Sequence, residues 1–303
     1  MAEISLVRKV GSEKISRKIV REVREKPKVT ESSPVGMFDS GVGGLTVFEQ
    51  IKRNLPKESI IYLADTARVP YGGRSASEII KINNEIIPYL ISLGAKIIVM
   101  ACGTSSAIAY PAVKDKYNIP IIAIIEGGAK MAASATKNKK VGIIATVGTI
   151  NSQAYQKSIK NIDKEIEAIG VACPLLVPLI EGGFAGSAET GKVLKEYLKP
   201  LIRARIDTLI LGCTHYPHLK NTITSILGND VVLIDPAEEA ARAAKDTLAK
   251  MKMLQSGKAN PQHRFLVTGS GNSFKELGSR LLGKPLQNVE EVALSSIKYR
   301  GLP

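Results

Sequence analysis

Two stretches decide the fold: Lys96–Thr104, KIIVMACGT, and Asp207–His215, DTLILGCTH. Each is a short, continuous apolar run followed by a small residue, a cysteine and a threonine. Runs of this kind, without polar alternation, are buried on both faces, which is the habit of parallel strands covered by helices. The same pattern continues outward from both stretches. Strands are expected at Val35–Phe38, Ile60–Ala64, Ile97–Ala101, Ile121–Ile125, Val141–Ala145, Leu209–Leu211, Val231–Ile234 and Phe265–Val267. Helix-like stretches fall between them at Leu45–Asn54, Ser77–Leu93, Ser106–Tyr117, Ser152–Ile162, Thr190–Arg205 and Ala237–Met253. This alternation predicts an α/β protein with parallel sheets.

The two stretches also repeat. Their cysteines, Cys102 and Cys213, lie 111 residues apart, and Gly36–Gly43 (GMFDSGVG) resembles Gly142–Thr149 (GIIATVGT) at an offset of 106. Similar offsets at matching strand ends predict two pseudo-symmetric parallel-sheet domains with the active site between them. The expected division is a basic, flexible extension over 1–34, a first domain over 35–130 plus 236–303, and a second over 131–235.

Composition sets limits. The chain has 303 residues, 44% of them hydrophobic, and its three cysteines and three histidines include no Cys-x-x-Cys pair. Neither a disulfide framework nor a zinc site is expected. No apolar run is long enough to span a bilayer, and no signal-type segment opens the chain, so a soluble protein is predicted. A net charge of +14 attracts nucleic acid non-specifically at low salt, but nothing interleaves aromatic and basic residues for base stacking. The first 34 residues contain nine Lys/Arg and five Asp/Glu.

Parallel sheets bind ligands beyond the carboxyl ends of their strands. There the chain places Asp39-Ser40-Gly41-Val42-Gly43-Gly44, Asp65 through Tyr71-Gly72-Gly73, Cys102-Gly103-Thr104, Thr146-Val147-Gly148-Thr149 and Cys213-Thr214-His215. A thiol at a helix start is expected to have a lowered pKa. Cys173, inside VACPLLVPLI, reads as core. Nucleophilic catalysis would use one cysteine with His215 and leave the other idle. Racemisation uses two, one removing an α-proton and the other returning one to the opposite face. The glycines at 41, 43 and 44 are candidates to bind a carboxylate, Asp39 or Asp65 to pair with an ammonium group, and Thr104, Thr149 and Thr214 to add hydroxyls. No Gly-x-Gly-x-x-Gly follows the strand, which argues against a dinucleotide site.

The chain resembles the glutamate racemase family through FDSGVGGLTV (Phe38–Val47), VPYGGRS (Val69–Ser75), MACGTSSA (Met100–Ala107), PLIEGG (Pro178–Gly183) and LGCTHYP (Leu211–Pro217). The motifs occur in the family's order over about residues 35–270. The resemblance implies a cytoplasmic, cofactor-independent, metal-free, homodimeric enzyme. It would interconvert L- and D-glutamate for peptidoglycan biosynthesis, and so for the cell wall and cell shape. It implies catalytic roles for Cys102 (base for the D-isomer), Cys213 (base for the L-isomer), Asp39, His215 and Glu181. It implies substrate contacts for Asp39, Ser40, Tyr71, Gly72, Gly103, Thr104, Thr214 and His215. The rival readings are an aspartate racemase, although Cys-Thr-His around Cys213 favours glutamate, a decarboxylase or isomerase of the same superfamily, and a weak amino-acid-binding homologue. The last rests on Gly103, where the family usually has Asn. Loss of that amide predicts a weakened enzyme, and Gly103→Asn is expected to raise kcat/KM.

Overall fold

The computed structural model describes residues 28–257 and 260–294. Ten strands form two wholly parallel sheets. The first comprises β1 (Val35–Asp39), β2 (Ile60–Ala64), β3 (Ile97–Met100), β4 (Ile121–Ala123), β9 (His263–Val267) and β10 (Val289–Glu291), in the order β10-β9-β2-β1-β3-β4. The second comprises β5 (Lys140–Ala145), β6 (Glu167–Ala172), β7 (Thr208–Leu211) and β8 (Val232–Ile234), in the order β6-β5-β7-β8. The four-strand block β2-β1-β3-β4 has the same order as β6-β5-β7-β8. The repeat seen in the sequence is therefore a repeat of topology, with Cys102 after β3 matched by Cys213 after β7.

The strands are apolar because both faces are covered: every residue of β1, β2, β3 and β7 is buried. Beyond residue 235 the chain returns to the first sheet. Helix Pro236–Lys250 buries Ala237, Ala240, Ala241, Ala244 and Leu248 in one core with Val35, Met37 and Ile51, and β9 pairs with β2. Asp235 caps this helix by accepting from the Ala237 N–H at 3.1 Å, and Pro236 fits the first turn, where no N–H is needed.

The elements differ from expectation where a local signal was misread. Residues 124–125 open a helix, Ile124–Ala135, rather than prolong β4. The expected division at 130/131 falls inside this helix. The helix expected over Ser106–Tyr117 starts earlier and splits into Gly103–Ile108 and Tyr110–Val113. Pro111 has no N–H to continue the ladder. The helix expected over Ser152–Ile162 breaks at Gln153, which is left-handed at φ 55°. Strand β6, helix Gly271–Leu282 and β10 were not anticipated. In β6 five of six residues are only half-buried, which left it without a clear apolar run.

Residues 1–27 of the basic extension lie outside the described residues. Its end is held at the sheet pole away from the cysteines. Lys96 Nζ, fully buried, donates to the Glu31 carbonyl at 2.6 Å and the Met253 carbonyl at 2.9 Å and pairs with Glu58 Oε2 at 2.6 Å.

Candidate active site

The carboxyl ends of both sheets meet on one cavity of about 420 Å³. Every residue to which the family resemblance gives a catalytic or substrate role lines it: Asp39, Ser40, Tyr71, Gly72, Cys102, Gly103, Thr104, Glu181, Cys213, Thr214 and His215. Thr149, Asp65 and the glycines at 41, 43 and 44 are not among the lining residues. Asp65 is fully buried and engaged elsewhere, accepting from Arg68 Nε at 2.7 Å, from Thr268 Oγ1 at 2.8 Å and from the Tyr71 hydroxyl. Asp65 is thus a structural anchor for Tyr71, not a partner for an ammonium group. The Gly41 N–H is taken by the Asp39 carboxylate at 2.9 Å, and Gly43 and Gly44 make room for neighbouring side chains. A Cβ at Gly43 would lie 2.4 Å from both Thr214 Oγ1 and His215 Nδ1, and one at Gly44 would lie 2.6 Å from the Tyr62 hydroxyl.

On the second sheet, Cys213 lies two residues after β7 and is 7% exposed. Its Sγ lies 3.8 Å from His215 Nδ1, and His215 Nε2 lies 2.9 Å from Glu181 Oε1. Burial by itself lowers the His215 pKa. The Cys213 sulfur and the Glu181 carboxylate outweigh that and push it up to about 10. A protonated imidazole donates from both nitrogens, towards the Cys213 sulfur on one side and the Glu181 carboxylate on the other.

On the first sheet, Cys102 is the N-cap of helix Gly103–Ile108 and 5% exposed. Its S–H faces Ser40 Oγ at 4.0 Å. The expected lowering of its pKa is overturned: burial and the nearby Asp39 carboxylate push it up to about 12, against the opposing pull of Ser105. Desolvation of the buried thiol outweighs a six-residue helix terminus. Asp39 Oδ1 accepts from the Gly41 N–H at 2.9 Å, which holds the turn, and its Oδ2 faces Thr214 Oγ1 at 3.4 Å. Burial raises the Asp39 pKa, with Gly41, His215 and Gly44 pulling the other way.

The two sheets are stitched around the cavity. Thr46 Oγ1 donates to the Thr214 carbonyl at 2.9 Å, the Gly148 N–H donates to the Gly72 carbonyl at 2.8 Å, and Thr104 and Thr146 share a hydroxyl bond at 2.9 Å. Thr146 in turn bonds Thr149 at 3.0 Å. Arg280, on helix Gly271–Leu282, donates to the Glu181 carbonyl. At Gly103 the approach is backbone to backbone. A Cβ at Gly103 would sit 2.5 Å from the Gly212 carbonyl oxygen. The space a 103 side chain would need is occupied by the second cysteine's own loop. This geometry argues against the expectation that Gly103→Asn improves the enzyme, because a side chain there requires the loops to shift.

Sequence reasoning placed Val69, Pro70, Thr146 and Val147 at ligand-binding strand ends without giving them a role, and it gave none to Pro174, Val177 or Pro178. All of them line the cavity, as does Cys173, which is 1% exposed and also belongs to the core. Thr146 carried a signal, as the residue after β5 equivalent to Ser40 after β1. Cys173 ends the run VAC that follows from β6, a strand that was not recognised. Among the described residues no group of three or more His, Cys, Asp or Glu side chains could hold a metal ion, and no helix is long and apolar enough to cross a membrane.

Residues 36–244 match the family model of Asp/Glu/hydantoin racemases. A glutamate racemase of Geobacter metallireducens is 42% identical over 264 residues, covering 87% of this chain and 98% of that protein. The chain belongs to the glutamate racemases of this family. Solved glutamate racemases superpose on it closely. An isoform from Bacillus anthracis gives a TM-score of 0.84 at 41% identity, covering 87% of this chain and 98% of its own. The enzyme of Francisella tularensis in complex with D-glutamate gives 0.83 at 40% identity, covering 88% and 100%. The racemase described here thus shares its two-sheet α/β fold with known glutamate racemases.

Proposed function

We propose that this racemase interconverts L- and D-glutamate by a two-base mechanism on Cys102 and Cys213, without a cofactor. One observation carries the reading: equivalent strand ends of two topologically repeated sheets deliver one thiol each to a single cavity. With L-glutamate, the Cys213 thiolate removes the α-proton, breaking C–H and forming S–H, and the Cys102 thiol returns its own proton to the opposite face. With D-glutamate the roles exchange. His215, held by Glu181, stabilises the Cys213 thiolate. Asp39 reaches both arms, through the Cys102 sulfur's electrostatics and through Thr214. The hydroxyls of Thr104 and Thr146 and the Ser40 and Gly72 loops contribute polar groups to the substrate pocket. The two sheets mark its two domains, and the D-glutamate would supply peptidoglycan synthesis.

The test is chiral chromatography of L-glutamate incubated with the dialysed protein, with L-aspartate in parallel. D-glutamate rising to an equal mixture, with aspartate unchanged, supports the reading. Aspartate turnover at a comparable rate, or no turnover without an added cofactor, contradicts it.

A further inference from the structure

Tyr71 lines the cavity at 1% exposure, but its hydroxyl already donates to Asp65. Where Tyr71 sits is therefore decided by where Asp65 sits. Asp65 follows β2, and Thr268 follows β9, the neighbouring strand supplied by the chain after it returns from the second sheet. Thr268 Oγ1 accepts from the Ala67 N–H at 3.0 Å and donates its own proton to Asp65 Oδ1 at 2.8 Å. One residue on, the Gly269 N–H donates to Thr66 Oγ1 at 2.9 Å. Asp65 Oδ2 takes the Tyr71 hydroxyl and, at 2.7 Å, Arg68 Nε. Three donors thus meet on one fully buried carboxylate. Such a group is costly to bury unless its donors stay in place. The loop it organises then crosses to the second sheet, where the Gly72 carbonyl accepts from the Gly148 N–H at 2.8 Å. Thr268 itself does not line the cavity.

We propose that Thr268 is a positioning residue for racemisation. It fixes Asp65, Asp65 fixes Tyr71, and the Tyr71–Gly72 turn then holds the substrate between the two thiols. The inference rests on the two-thiol reaction of glutamate proposed above. The returning segment braces both walls of the cavity on this reading, since Arg280, further along it, donates to the Glu181 carbonyl.

The experiment compares Thr268→Val, which keeps the shape and removes the hydroxyl, with Thr268→Ser, which keeps the hydroxyl. Steady-state kinetics with L-glutamate are read beside thermal melts and hydrogen exchange followed by mass spectrometry. Thr268→Val is expected to lower kcat/KM roughly tenfold, chiefly through kcat, because small displacements near reacting groups are costly. Thr268→Ser should stay within about twofold of the wild type, since the bond to the carboxylate survives. Peptides covering residues 66–72 should exchange roughly fivefold faster in Thr268→Val, with those of β7 unchanged. Tyr71→Phe should add little to Thr268→Val, because both remove a donor from one carboxylate. A lower melting temperature with unchanged kcat/KM would mean a structural role only and overturns the proposal. Additive losses in the double variant, or a Thr268→Ser enzyme as slow as Thr268→Val, overturn it too. Should Thr268→Val fail to fold, Thr268→Ala is read by the same criteria. Exchange needs no turnover. A wild type inert toward glutamate would sink the proposed function, whereas unchanged exchange over residues 66–72 sinks this inference alone.

Discussion

The two cysteine arms occupy equivalent places in a repeated topology but are built on different chemistry. Cys213 sits against His215, whose pKa is pushed up by that sulfur and by the Glu181 carboxylate. Cys102 sits beside the carboxylate of Asp39, and burial together with that charge pushes its pKa up to about 12. Duplication supplies two opposed thiols, and divergence of the flanking residues then decides how each is ionised.

The largest test of this comparison is to remove each thiol. Cys102→Ser and Cys213→Ser should each lower racemisation by on the order of 10³-fold, in the range of a lost general acid or base. A variant retaining more than a tenth of the activity would end the symmetric use of both arms. Next comes the contact between the arms. Gly103→Asn should lower kcat/KM by roughly 10- to 100-fold, because a Cβ 2.5 Å from the Gly212 carbonyl displaces one loop, and small displacements of reacting groups are costly. A rise in kcat/KM would show that the lost amide matters more than the close approach.

Glu181→Gln sharpens the charged arm, with an expected loss of about tenfold in kcat for a charge-assisted hydrogen bond to a partly exposed partner. It should also change stability against pH. His215 is raised from 6.5 to about 10, so it contributes stability that is fully present below about 6.5 and is lost as pH climbs through about 10. Thermal melts from pH 6 to 10 should therefore fall less steeply in Glu181→Gln than in the wild type. An identical slope would contradict the assignment. The smallest effect is expected from Arg280→Ala, which removes a donor to the Glu181 carbonyl. A loss of about two- to fivefold in kcat, with Arg280→Lys close to the wild type, fits one exposed hydrogen bond.

The strand ends carrying Cys102, Cys213, Asp39 and Thr214 were legible because buried parallel strands are marked by apolar runs, and ligand chemistry sits where such runs stop. His215 was legible from its place two residues after Cys213. Glu181 came only with its motif, since nothing local tells a carboxylate before Gly-Gly that it meets an imidazole 34 residues on. The approach of Gly103 to Gly212 was not legible at all, being a contact between backbones distant in sequence. The Cys102 pKa was misjudged for a related reason: helix position is written in the sequence, whereas desolvation follows from how the chain buries the thiol.

The most direct test of the two-base claim follows L-glutamate in D2O at early times, by α-proton NMR and mass spectrometry of the separated enantiomers. Two opposed thiols predict that the D-glutamate formed carries deuterium at the α-carbon while the remaining L-glutamate keeps its proton. Deuterium entering unreacted L-glutamate as fast as it enters the product would mean that one base serves both faces, and the claim for Cys102 and Cys213 would fall.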